Sequence, residues 1–110
     1  LVAVGYSNGA NIAASLMLLH PGLLKAAVLF RSMVPFEPEV TPDLSGMPVF
    51  MAAGQQDQMI APGNTQRLAE ILQEAGANVD LRWRDTGHGL TYEEIGEAKD
   101  WLGKASTPLD

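Results

Sequence analysis

Three residues of this chain have the chemistry of a nucleophile and its proton relay: Ser7, Asp57 and His88. Ser7 is the centre of Gly5-Tyr6-Ser7-Asn8-Gly9, which follows the apolar run Leu1-Val2-Ala3-Val4 and precedes a long apolar stretch from Ala10 to Leu19. Strand, tight turn and helix with a serine at the apex fit the G-x-S-x-G nucleophile elbow. So sharp a turn forces the serine to a strained backbone position at φ > 0. Side chains two residues to either side would collide, which accounts for Gly5 and Gly9. The strain lifts the Ser7 hydroxyl above the sheet and aims the first N–H groups of the helix at the place where negative charge develops. A hydroxyl is a poor nucleophile at neutral pH and needs a base in contact. His88, flanked by Gly87 and Gly89, has a loop flexible enough to bring its imidazole over Ser7, to take the proton during attack and to return it to the leaving group. Asp57 is placed to hold the other ring nitrogen, fix the tautomer and stabilise the imidazolium.

The elements that must carry these residues follow from the apolar pattern. Leu1 to Val4 is continuously apolar, as a strand covered on both faces should be. Asn8 or Gly9 opens a helix running to about His20. Nearly every face of it is apolar (Ile12, Leu16, Met17 and Leu19 among others), which predicts a buried helix. Pro21-Gly22 ends it, and Ala26 to Phe30 is a second buried strand. Arg31 to Met47 holds Pro35, Pro38 and Pro42 among acidic residues, and reads as an ordered loop. Pro48 starts a third strand through Ala53, ended by Gly54. Pro62 suits the first turn of the next helix, with Leu68, Ile71, Leu72 and Ala75 inward and Gly76 as its stop. Asn78 to Arg84 alternates partly and belongs near the sheet edge. Thr91-Tyr92-Glu93-Glu94 is a capping box for a last helix with Ile95, Ala98, Trp101 and Leu102 inward. The tail from Ser106 is expected to fray. The order is an α/β pattern with a parallel sheet, successive strands side by side. Ser7, Asp57 and His88 then all fall beyond the carboxyl ends of strands, where sites of such sheets form.

The bulk properties bound the partners. At 110 residues the chain is short for a doubly wound enzyme, it does not begin with methionine, and it opens inside a core strand. It reads as one part, residues 1–110, of a single domain whose N-terminal strands are missing. The bare edge of the first strand invites association with that half or with a second copy of the chain. A net charge of −6 without basic clusters argues against nucleic acid. The longest apolar stretch is too short to span a bilayer and contains Asn11 and Ser15. The absence of cysteine is compatible with a reducing, cytoplasmic compartment. No metal-ligand spacing and no dinucleotide loop appears, so no cofactor is implied.

Gly5-Tyr6-Ser7-Asn8-Gly9-Ala10-Asn11, Gly54-Gln55-Gln56-Asp57 and Gly87-His88-Gly89-Leu90 resemble the three catalytic blocks of small carboxylesterase/phospholipase-like serine esterases, within the α/β-hydrolase superfamily. Arg31-Ser32-Met33-Val34-Pro35 also resembles a loop of that group. The resemblance covers essentially the whole chain and implies the C-terminal half of an α/β-hydrolase fold. By it, Ser7 is the nucleophile, Asp57 the acid and His88 the base, and the N–H of Asn8 is one oxyanion donor. The small-molecule substrate is a carboxylic ester or thioester. The loop that supplies the second donor belongs to the missing half, and the Pro-rich segment replaces the helix or lid of larger hydrolases.

Other residues carry plainer readings. Asp85, three residues before His88, is a rival to Asp57 but reads better as a cap of the turn before Gly87. His20 is a helix-end residue. Arg31 either touches substrate or closes an ion pair, the second being the simpler reading. Met33, Met59 and Ile60 flank the site loops and either line an acyl pocket or pack the loops. A second function class, a ligand-binding or interaction protein without turnover, keeps the same fold.

Overall fold

The computed structural model describes residues 1–105; the tail from Ser106 lies outside the described residues. Four strands, β1 (Val2–Tyr6), β2 (Ala26–Phe30), β3 (Pro48–Gly54) and β4 (Asn78–Arg84), form one sheet in the order β1-β2-β3-β4. All three pairings are parallel. Three helices, α1 (Asn8–Leu19), α2 (Pro62–Glu74) and α3 (Tyr92–Ala105), flank it. The expected element order and parallel sheet are borne out.

β2 and β3 are buried along nearly their whole length, and alternate side chains feed two cores. On one face Ala27, Leu29, Val49 and Met51 pack with Ala10, Ala13, Ala14 and Met17 of α1 and Leu68, Ile71 and Leu72 of α2. On the other, Val28, Phe30, Phe50 and Ala52 pack with Ala98, Trp101 and Leu102. β4 is only half-buried, as an edge strand should be. Gly76 stands at φ 99 beyond α2, and the Ala77 N–H bonds back to the Leu72 carbonyl. That is the left-handed stop only glycine adopts without strain.

Three expectations need correction. α1 is not buried all round: Ile12 and Leu19 are 64% and 60% exposed, because the helix lies on one face of the sheet. β1 is covered on one face only. Ala3 joins the core, while Val2 and Val4 are exposed; α3 packs on β2 and β3 and does not reach β1. An open apolar hollow of about 420 Å³ is left there, lined by Val4, Val28, Phe30 and Ile95 among others. Ile95, expected inward, overhangs it and is 46% exposed.

Candidate active site

Ser7 leaves β1 at φ 56, ψ −116 and caps α1. Its N–H donates to the Phe30 carbonyl at 2.8 Å, and its carbonyl accepts from Asn11. The turn is therefore tied to β2 on one side and to the helix on the other, and the expected positive φ is present. The two glycines differ. A Cβ on Gly5 would stand 2.5 Å from the backbone of Gly9, whereas one on Gly9 would meet nothing within 4 Å. Of these two, Gly5 alone is sterically required among the described residues, because the collision runs from strand to helix and not back. Asn8 is the first residue of α1, where N–H groups have no intrahelical acceptor.

The three reactive side chains meet. Ser7 Oγ is 3.0 Å from His88 Nε2, and His88 Nδ1 is 2.7 Å from Asp57 Oδ2. Asp57 Oδ1 accepts the N–H groups of Met59 and Ile60 at 2.8 and 3.0 Å. Burial raises the Asp57 carboxyl, but the hydrogen bonds from His88, Met59 and Ile60 outweigh it and hold it below the ordinary aspartate value. Its side chain is 3% exposed against 18% for His88, so the carboxylate sits behind the ring and the ring faces the serine.

The His88 loop is not the free hinge that its two glycines suggest. The Gly87 and Gly89 carbonyls accept from the guanidinium of Arg31, and the His88 carbonyl accepts from the Tyr6 hydroxyl. The Tyr6 and His88 rings lie 5.5 Å apart. Gly54, at the end of β3, approaches the same loop so closely that a Cβ would stand 2.3 Å from the Gly87 carbonyl oxygen. The guanidinium is closed on its far side by both oxygens of Glu94. Arg31 thus has the ion pair of the simpler reading, together with a role in the loop that sequence reasoning missed.

The remaining candidates scatter. Met33 is half-buried after β2, its N–H bonded to Asn11 Oδ1. Met59 is 73% exposed and Ile60 buried. Their N–H groups are what bond Asp57 Oδ1. Asp85 does not cap the turn; its Oδ1 accepts from the Gln56 amide at 2.6 Å, away from His88.

The family model for the dienelactone hydrolase family matches residues 1–101. The chain belongs to the dienelactone hydrolase family. That family has the α/β-hydrolase fold expected from the three motif blocks. Among its relatives is MhqD of Bacillus subtilis (strain 168), named as a hydrolase, which is 42% identical over 105 residues, 96% of this chain and 52% of that protein. The carboxylesterase of Bacillus cereus superposes with a TM-score of 0.92 at 45% identity, covering 96% of this chain and 50% of that one. A carboxylesterase from Mesorhizobium loti superposes at 0.86 with 36% identity, covering 93% and 48%. The chain spans about half the length of the relatives it matches.

Within this chain of the dienelactone hydrolase family, each strand end delivers one side chain to the candidate site: Ser7 after β1, Arg31 after β2, Asp57 after β3 and His88 after β4. Tyr6 was missed altogether, since an exposed aromatic beside an elbow carries no periodic signal. Arg31 had one: a charged residue set directly after the fully buried run Ala26–Phe30 must find a buried partner.

Proposed function

We propose that this chain carries the triad of a serine hydrolase that cleaves carboxylic esters or thioesters, and that it forms the C-terminal part of a single α/β-hydrolase domain. The observation that carries this reading is the unbroken line from Asp57 Oδ2 through His88 to Ser7 Oγ at 2.7 and 3.0 Å. In it Ser7 Oγ attacks the acyl carbonyl, and His88 Nε2 takes its proton and passes it to the leaving alcohol or thiol. Water then attacks the acyl-enzyme with His88 again as base, releasing the acid and free Ser7. Asp57 holds Nδ1–H and so leaves Nε2 as the acceptor. The N–H of Asn8 is one oxyanion donor, and the second comes from another part of the domain. The half-exposed Ser7 and the irregular 31–47 segment suit a small ester reached directly from solvent. Membership of a hydrolase family and the likeness to two carboxylesterases support the same reaction class.

A fluorophosphonate probe applied to the full-length protein tests the reading. Labelling at Ser7, abolished in Ser7→Ala, is expected. A folded protein that hydrolyses no ester and takes no label would instead be a binding protein on this fold.

A further inference from the structure

Arg31 carries an inference that rests on the serine-hydrolase reading above. Its guanidinium is buried, with the residue 1% exposed. Nε–H donates to the Gly87 carbonyl at 3.0 Å and an Nη2–H to the Gly89 carbonyl at 2.9 Å. The rest of the fork meets Glu94, Nη1 to Oε2 at 2.6 Å and Nη2 to Oε1 at 2.7 Å. His88 lies between the two carbonyls so held, and its own carbonyl accepts the Tyr6 hydroxyl at 3.0 Å. Three consecutive peptide oxygens are therefore anchored, two of them by one planar group. Tyr6 directly precedes Ser7. Arg31 directly follows Phe30, whose carbonyl accepts the Ser7 N–H at 2.8 Å. The strand ends that place the nucleophile also place the loop of the base.

We propose that Arg31 is a positioning residue for His88: its guanidinium, aimed by Glu94, fixes loop 87–89 at the height that sets Nε2 on Ser7 Oγ. Two features are otherwise unexplained. A fully buried ion pair is a poor source of net stability, because desolvation offsets its attraction. Arg31 also stands at φ 56, a conformation that non-glycine residues rarely adopt; the chain accepts strain at the point that turns this side chain under the loop. Glu94 is oriented in turn by Thr91, whose N–H and hydroxyl donate to Oε1 at 3.2 and 3.0 Å. The capping box of α3 is thus continuous with the support of the base. Lysine cannot replace arginine here, since it offers no fork of fixed geometry to span two carbonyls and a carboxylate.

The test uses the full-length protein with Arg31→Lys, Arg31→Ala and Glu94→Gln, each checked for folding by circular dichroism. The readouts are kcat and KM for p-nitrophenyl acetate, and the downfield proton resonance of the His88 Nδ1–H held by Asp57. Arg31→Lys is expected to lower kcat about 10- to 100-fold with KM changed by less than about threefold, since a small misplacement of the base slows chemistry without removing substrate contacts. The Nδ1–H resonance should move upfield or broaden in the folded variant, and added guanidinium should restore part of the kcat of Arg31→Ala. Should Arg31→Lys not fold, Glu94→Gln, which keeps Arg31 but loosens its aim, gives the same readouts. Arg67→Lys is the control, its exposed pair with Glu37 lying outside the site. Wild-type kcat with an unmoved resonance in a folded Arg31 or Glu94 variant overturns the proposal, as does a loss of kcat that only tracks the folded fraction. If wild type takes no fluorophosphonate and cleaves no ester, the serine reading fails on its own; the His88 resonance in the variants still decides whether Arg31 positions the ring.

Discussion

A methyl carbon on Gly5 would stand 2.5 Å from the carbonyl carbon and oxygen of Gly9. Strand end and helix start touch there through bare backbone, and that contact sets the sharpness of the turn beneath Ser7. Gly5→Ala is expected to destabilise the protein by about 1–3 kcal/mol, as overpacking does, and to depress esterase turnover further by displacing Ser7. Gly9→Ala, with open space around its Cβ among the described residues, should change stability by less than about 0.5 kcal/mol, as surface substitutions do. Thermal unfolding and p-nitrophenyl acetate hydrolysis of both variants check this. Equal damage from the two would mean that the glycines act as a symmetric pair.

Gly54 poses the same steric demand from below the histidine. A Cβ there would stand 2.3 and 2.4 Å from the Gly87 and Thr86 carbonyl oxygens, so the loop must lift. Gly54→Ala should lower kcat by about 10²-fold. Gly87→Ala, whose Cβ would be 3.7 Å from the Gln56 carbonyl, should be milder. A Gly54→Ala enzyme of wild-type kcat would show that the loop absorbs the shift without moving the ring.

The two aspartates near His88 make opposite predictions. Asp57→Asn leaves Nδ1 facing an amide and favours the wrong tautomer, so kcat should fall by about 10²–10⁴ with the fold intact. Asp85→Asn loses only part of an exposed contact with Gln56 and should stay within about twofold in kcat and 0.5 kcal/mol in stability. Steady-state kinetics and unfolding of both variants decide between them; the reverse pattern would make Asp85 the partner of the base.

Acid should unfold the protein partly through Glu94. Burial raises its carboxyl, but hydrogen bonds from Arg31 and Thr91 outweigh that and hold it below the ordinary glutamate value. Asp57 is held low in the same way. In the unfolded chain both groups return to about 4. A carboxylate depressed in the folded state contributes fully above its unfolded pKa, and the contribution is lost as pH falls through the folded value. This part of the stability should therefore be flat from about pH 7 to 5 and decline below about pH 4. Glu37 and Asp43 are also lowered, but they are exposed and solvent screens them. Glu94→Gln should have a lower Tm at pH 7 and a shallower acid decline. A Tm curve parallel to wild type from pH 7 to 3 would remove Glu94 from the account.

Residues 1–110 expressed alone are expected to be a poor esterase. They span about half the length of their relatives, and Val4 and Ile95 border an open apolar hollow beside β1. One oxyanion donor is worth about 10²–10³ in rate, and the second donor is assigned to another part of the domain. Hydrolysis by this span should rise by at least that factor in the full-length protein. Full turnover by the span alone, abolished by Ser7→Ala, would sink this expectation.

The fold was largely legible because its signals are local. Continuous apolar runs marked β2 and β3, Pro62 and Gly76 bounded α2, and Thr91 with Glu94 started α3. The three motif blocks named Ser7, Asp57 and His88, since each is a short stretch whose residue types serve one chemistry at the end of one strand. Burial was read less well. Ile12, Leu19 and Ile95 look like core by composition, yet whether an apolar side chain is covered depends on which elements lie opposite it, and no α3 contact reaches β1. Asp85 and Asp57 are both aspartates near His88 in sequence or in function. Only the parallel pairing of β3 with β4, which sets Gly54 opposite Arg84, decides that Asp57 reaches the ring. Arg31, Tyr6 and Gly54 show the limit most clearly. Arg31 meets Gly87, Gly89 and Glu94 across 56 to 63 residues of chain, and such contacts leave no periodic trace. The sequence by itself singled out the groups proposed to carry the chemistry, because reactivity belongs to residue type and its immediate turn. The tertiary structure decided what holds them in register, because the hydrogen bonds that orient His88 come from three other strand ends brought side by side in one sheet.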